Sequence, residues 1–161
     1  MLTHTFHNLG QIFMIKSLFI PFFLFIVHCS EAQNSIIKKD TAFTVAQKQF
    51  LNGLEQKNIT ALMAVVDDSL TTIFPDGEIM HSKEKYRSFN EAWFKKDWKI
   101  TTEIVGTDEK SDLAYSVIKY KYIKFNPDKS EKPASHIYLL LIFKKRNNEW
   151  VLVHNQHTKI L

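Results

Sequence analysis

The stretch EWVLVHNQHTKIL (149–161) decides how the chain is read. Trp150, Val151, Leu152 and Val153 are an apolar, β-favouring run. The charge-rich KKRNN at 144–148 supplies a turn just before it. Side chains on a strand alternate between faces, so Trp150, Leu152, His154, Gln156 and Thr158 should share one face. Val151, Val153, Asn155, His157 and Lys159 should share the other. Both faces begin apolar and turn polar together. A strand buried on both sides that still carries imidazoles and amides is expected in the wall of a pocket or at an interface.

Upstream of this strand the period is 2 over three more segments, 98–105, 114–125 and 136–145. They are separated by Gly106-Thr107-Asp108 and Asn126-Pro127-Asp128, with Arg146-Asn147-Asn148 before the last strand. Short links between sequential strands predict an antiparallel meander. The segment 136–143 is the most apolar and should lie centrally.

Further back the period is 3.6. Phe43, Ala46, Phe50, Leu51 and Leu54 predict a helix capped by Asp40 or Thr41. Gly53 weakens it by about 1 kcal/mol relative to Ala. A second helix, 59–66, follows an Asn58 cap and should end at Asp67-Asp68-Ser69. Residues 70–74 and 78–81 form a small hairpin around Pro75-Asp76-Gly77, where Pro sets φ and Gly takes a positive φ. A third helix starts at Ser82, with Tyr86, Phe89, Trp93 and Phe94 as its apolar stripe. The sum is α+β: about three N-terminal helices, a hairpin, then a long bent sheet.

The first 32 residues are read apart from the fold. Lys16 precedes the dense apolar run 18–27 (LFIPFFLFIV), and a small-x-small site, Ser30-Glu31-Ala32, ends before Gln33. This is the pattern of a secretory signal peptide. The run is shorter than the roughly 20 residues that cross a bilayer, and Pro21 interrupts it, so no membrane span is retained. Met14 is an alternative start, which would make 1–13 an over-long beginning. Residues 33–42 are a short leader and 43–161 a single domain. The only cysteine is Cys29; the His28 before it departs from lipoprotein signals, so export without lipid is expected. Cleavage before Gln33 leaves no cysteine and hence no disulfide or thiol chemistry.

The charge of +4 stays the same after cleavage, since Lys16 and Glu31 leave together. The lysines are scattered, which argues against nucleic acid as a partner. At 45% hydrophobic and 13% aromatic residues the chain has enough apolar surface for a core, which excludes disorder.

The order of elements resembles the nuclear transport factor 2-like superfamily, more narrowly its SnoaL-like branch, which is related to ketosteroid isomerase. The residues that carry the likeness are FLNGLEQKNITALMAVVDDSLTTIFPDGEIMHSKEKY (50–86), DLAYSVIKYKY (112–122) and NEWVLVHNQHTKI (148–160). The resemblance implies a cone in which a strongly bent antiparallel sheet wraps the helices around a pocket. It also implies pairing into a homodimer through the outer sheet face. The fold serves isomerases, hydrolases, cyclases and non-catalytic assembly domains, so only the site chooses among them. Carried over position by position, the isomerase's first-helix Tyr falls on Phe50, its general-base Asp on Phe74 and its second oxyanion donor on Leu140. All three are apolar, which removes the base and the oxyanion donors that such a proton transfer needs.

The resemblance puts Val153, Asn155 and His157 on the cavity face of the last strand. His157 is then a candidate pocket group or base; the plainer alternative is a structural, hydrogen-bonded histidine. His154 and His157 are three apart on a strand and point to opposite faces, so no metal site is expected, and no cofactor. Asp67-Asp68 reads as a solvated turn before it reads as a catalytic pair. At Tyr120 and Tyr122 composition turns the tyrosines inward, whereas the family register turns Lys119 and Lys121 inward. The first favours a hydrophobic ligand, the second an acidic one.

Three function classes follow. One is a small-molecule binder with Phe50, Phe74, Phe89, Trp93, Tyr120, Asn155 and His157 around its ligand. The second is a lyase, cyclase or hydrolase with His157 as base. The third is a dimeric interaction module whose pocket is filled by its own side chains. An open cavity of about 300 Å3 or more would favour the first two. For the leader, intact-mass analysis of exported protein should give an unacylated chain starting at Gln33; an acylated Cys29 would overturn that expectation.

Overall fold

A computed structural model describes residues 41–160; residues 1–40, with Cys29, the processing site and all of the 33–42 leader but its last two residues, lie outside them. Helix α1 (Ala42–Glu55) is capped by Thr41, whose side chain accepts from the Thr44 amide. It buries Phe43, Ala46, Phe50, Leu51 and Leu54, the positions expected from the 3.6 period. Helix α2 (Ile59–Ala64) is capped by Asn58, which accepts from the Ala61 amide. The two helices meet at Gly53. A Cβ there would stand 2.7 Å from the Leu62 amide nitrogen and 2.8 Å from its Cα. The glycine is therefore required by the close approach of two backbones, which outweighs its poor helix propensity.

Helix α2 ends two residues earlier than its apolar pattern predicts. Val66 already belongs to strand β1 (Val66–Ile73), and the Val65 carbonyl accepts from the Leu152 amide at 2.8 Å. The β-branched pair is drawn into the sheet, and Asp67-Asp68-Ser69 lies in the strand instead of ending the helix. Asp67 there pairs with Arg146 at 2.7 Å. Strand β2 (Ile79–His81) returns antiparallel to β1. Gly77 sits at φ +89° in the turn between them, and its amide donates to the Phe74 carbonyl. Helix α3 (Lys83–Phe94) follows, capped by Ser82.

The remaining strands are β3 (Trp98–Lys110), β4 (Leu113–Lys124), β5 (Ser135–Arg146) and β6 (Glu149–Lys159). They form the expected antiparallel meander. Gly106-Thr107-Asp108 is not a turn, however. The β3–β4 register shifts between Ile104 and Gly106, a bulge that lets β3 run on to Lys110. All six strands join one sheet in the order β2-β1-β6-β5-β4-β3. The β1–β6 pairing is parallel, so the bent sheet is mixed, where sequence alone suggested an antiparallel one. The 136–143 region does lie centrally, in β5.

A second bulge governs the site. The β5–β6 register shifts between Ile142 and Phe143: Ile142 opposes His154, but Phe143 opposes Leu152. Val153 is the extra residue, and it breaks the strict alternation expected of β6. Trp150 and Leu152 are buried, and so is Asn155 on the far side of the bulge. Across the sheet Leu141 opposes Asn155 and Leu139 opposes His157, both leucines being buried. Trp150, Leu152, Asn155 and His157 thus share the inner face, while His154 and Gln156 face outward with Ile142 and Leu140. Among the described residues no helix is long and apolar enough to cross a membrane.

Candidate functional site

Between α3 and the inner face of the sheet lies a cavity of about 160 Å3. Helix α3 contributes Tyr86, Phe89, Asn90 and Trp93, which follow the i, i+3, i+4, i+7 positions of one helical face. The β1–β2 turn contributes Phe74 and Pro75. Strand β4 gives Tyr120 and Tyr122, β5 gives Ile137 and Leu139, and β6 gives Asn155 and His157; Leu54 of α1 closes one side.

Most of the wall is aromatic. Phe74 packs on Phe89 with ring centroids 4.8 Å apart and lies nearly parallel to the His157 ring at 5.5 Å and 22°. Trp93 stacks on Trp98 at 4.2 Å and on Phe89 at 6.2 Å. The Trp98 indole N–H donates to the Trp93 carbonyl at 2.8 Å, which ties the end of α3 to the start of β3. No acidic side chain, lysine or arginine is among the lining residues.

Two polar pairs interrupt the apolar wall. Asn155, fully buried, donates through Nδ2 to the Tyr86 hydroxyl at 3.3 Å. Asn90, also buried, donates to the Tyr86 carbonyl at 2.7 Å. Burial pushes the Tyr86 hydroxyl up to about 12. The second pair is Tyr120 and His157, whose Oη and Nδ1 are 3.2 Å apart. Desolvation lowers His157 from 6.5 to about 4, so the imidazole is neutral at physiological pH. Burial, and then the neighbouring Tyr86 and Tyr122, raise the Tyr120 hydroxyl. Asn155 Oδ1 and His157 Nε2 are shielded from solvent and have no hydrogen-bond partner among the described residues; Thr72 Oγ1, opposite Asn155 on β1, is in the same condition.

Of the candidate residues, Phe74, Phe89, Trp93, Tyr120, Asn155 and His157 meet around the cavity. Phe50 does not: it is fully buried in the core behind it. Val153, expected beside Asn155, is the bulge residue and is absent from the lining. Tyr120 and Tyr122 face inward as composition indicated. Lys119 pairs with Tyr138 and Lys121 with His136 on the opposite face, which removes the reason for expecting an acidic ligand. Leu140 pairs with Gln156 and faces outward; the cavity-side residues at that level, Leu139 and Leu141, are equally apolar. Asp67 and Asp68 lie away from the cavity, and no cluster of metal-binding side chains occurs among the described residues. Asn90 and Tyr86 were missed as site residues. The signal was a polar Asn placed in an otherwise aromatic helical stripe.

Comparison with known proteins agrees with this architecture. A SnoaL-like domain profile matches residues 45–158, so the chain belongs to the SnoaL-like domain family. It is similar in fold to a ketosteroid isomerase-like protein from Erwinia carotovora atroseptica, with TM-score 0.63 and 16% identity over 73% of this chain and 92% of the other. It is similar also to a nuclear transport factor 2-like protein of unknown function from Pseudomonas putida, with TM-score 0.61 and 12% identity over 72% and 82%. The association domain of Caenorhabditis elegans calcium/calmodulin-dependent kinase II gives TM-score 0.57 and 16% identity over 72% and 92%. No curated protein matches significantly. At these identities the likenesses define the fold alone.

Removing His157 tests the polar pair. His157→Ala strands the buried Tyr120 hydroxyl and should cost about 1–3 kcal/mol in denaturant melts. Trp150→Ala should cost roughly 3–5 kcal/mol by opening the core. With Tyr120→Phe added, the cost of His157→Ala should be less than additive. The imidazole also links stability to pH. Between pH 6.5 and about 4 the unfolded chain takes up a proton that folded His157 does not. Stability should therefore fall as pH drops through that window, and His157→Ala should flatten this part of the profile.

Proposed function

We propose that this chain is an exported small-molecule-binding domain whose ligand is a small, mainly apolar ring compound. The observation that carries the reading is the aromatic-walled cavity lined by Asn155 and His157, whose Oδ1 and Nε2 atoms are buried and unpartnered among the described residues. Buried polar atoms without partners are uncommon, and they cluster where a ligand completes them. The volume of 160 Å3 falls short of the roughly 300 Å3 that would favour a binder or an enzyme, so size by itself argues for the filled-pocket module and the reading rests on the unpartnered polar atoms. The volume is close to the cavity of about 150 Å3 that takes up benzene in an engineered protein core. A ligand of one ring fits; a larger one must move Phe89 or extend through the mouth. Export rests on the basic, apolar and small-residue pattern of the first 32 residues.

A lyase or cyclase would ask His157 to act as a base. Desolvation makes it unprotonated at neutral pH, but a base whose conjugate acid has a pKa of about 4 takes a proton weakly. This favours binding over proton transfer.

The outer sheet face supports a homodimer. Tyr115 and Tyr138 are 44% and 37% exposed there, beside Val117, Leu140 and Ile142 on β4 and β5. An apolar, self-adjacent strand surface suits an isologous interface. The likeness to an association domain fits the same reading.

Trp93 reports on the first proposal. Toluene and phenol should change its fluorescence saturably, with dissociation constants near or below about 1 mM, which is about 4 kcal/mol. Leu139→Trp should fill the cavity and abolish the change. Fluorescence that stays linear in added compound would instead leave a module with a closed pocket. For the second proposal, sedimentation at micromolar concentration should show a dimer that Tyr138→Lys weakens. A monomer at every concentration would sink the dimer.

A further inference from the structure

The Tyr120–His157 hydrogen bond has a direction, and that direction decides what the cavity offers a ligand. Tyr120 Oη has this single partner among the described residues, and His157 Nε2 has none. If the neutral imidazole donated from Nδ1, two groups would be stranded: the Tyr120 proton and the Nε2 lone pair. If Tyr120 donates to Nδ1, only the Nε2 proton is left without a partner. Buried groups are arranged to leave as few unpaired as the geometry allows. A phenol is also the better acid and an imidazole nitrogen the better base, which favours the same direction.

The ring is held where this matters. Phe74 lies almost parallel to it at 5.5 Å, and Tyr120 meets it edge-on at 89°. Rotation would break the stack and the hydrogen bond together. The ring is therefore fixed in the wall of the cavity that His157 lines, with Nε2 itself shielded from solvent, so that an acceptor reaches it only when a lining side chain shifts.

We infer that His157 presents Nε2–H as a hydrogen-bond donor, that Tyr120 is the positioning residue that sets this tautomer, and that the cavity takes neutral ring compounds bearing an acceptor oxygen. The last part rests on the small-molecule reading above; the first two do not. Neutrality follows from the wall: no lysine or arginine lines it, so a buried carboxylate would lose its water with no opposite charge in exchange. The lowered proton affinity of His157 keeps the donor uncharged at neutral pH.

Nitrogen-15 NMR of histidine-labelled protein at pH 7 tests the tautomer without any ligand, because protonated and unprotonated ring nitrogens resonate far apart. The His157 signals should show a protonated Nε2 and a bare Nδ1. Tyr120→Phe should move them toward a mixture of tautomers. A protonated Nδ1 in the parent overturns the inference, and an unchanged spectrum in Tyr120→Phe removes Tyr120 from its role. The ligand class is tested with benzaldehyde, toluene and benzoate, which share one ring. Benzaldehyde should bind at least about fivefold tighter than toluene, benzoate should not bind, and His157→Leu should erase the preference. Benzaldehyde binding no tighter than toluene overturns the donor assignment. If the tautomer is as inferred and neither compound binds, the binding reading fails while the assignment of His157 and Tyr120 stands.

Discussion

One extra residue, Val153, holds two jobs of the last strand together. Before it, β6 must present Trp150 and Leu152 to the core against Phe43 and Phe143. After it, the same face must present Asn155 and His157 to the cavity. The spacing from Leu152 to Asn155 is odd, so a regular strand would send one pair into solvent. The bulge restores the face by placing Val153 outside the ladder. The neighbouring strand adapts as well: the parallel β1–β6 register also shifts, between Val66 and Thr71. Core packing, cavity lining and the β1 pairing all hang on this local irregularity.

How much was legible follows from that same point. Periods of 3.6 and 2 located all three helices and the four-strand meander, because each segment is amphipathic enough for its pattern to survive tertiary packing. The parallel contact of β1 was hidden: its partner is remote in sequence, and nothing local in VDDSLTTI distinguishes a strand that pairs far away. Gly106-Thr107-Asp108 has turn chemistry and misled for the opposite reason. A Gly within a strand marks a bulge as readily as a bend, and only the facing strand decides which.

The site was read more fully than its logic. On the last strand the resemblance put Val153, Asn155 and His157 on the cavity face by an alternation that the bulge breaks, and Asn155 and His157 remain there because both follow Val153. Phe50 failed because a helix seen as a stripe shows which residues are inward, not how deep they lie. Asn90 was passed over because apolar neighbours define a stripe and the polar exception reads as noise. Here the exception is buried and hydrogen-bonded, which is the physical signature of a constrained position.

The place of β6 in the sheet also shapes how this domain comes together. It lies between β1 and β5, yet it is the last strand in chain order. Until it is added, the β1–β2 hairpin has no ladder to join, and a two-stranded ribbon alone is marginal in water. The meander β3–β4–β5 meanwhile ends in an unpaired apolar edge, that of β5. Closing the sheet thus means bringing together segments separated by most of the domain, a slow step of high contact order. Any partly assembled chain waits with its most adhesive edge uncovered. The order of strands therefore leaves the sheet incomplete until the C-terminal segment of the domain is in place, whatever has assembled before it.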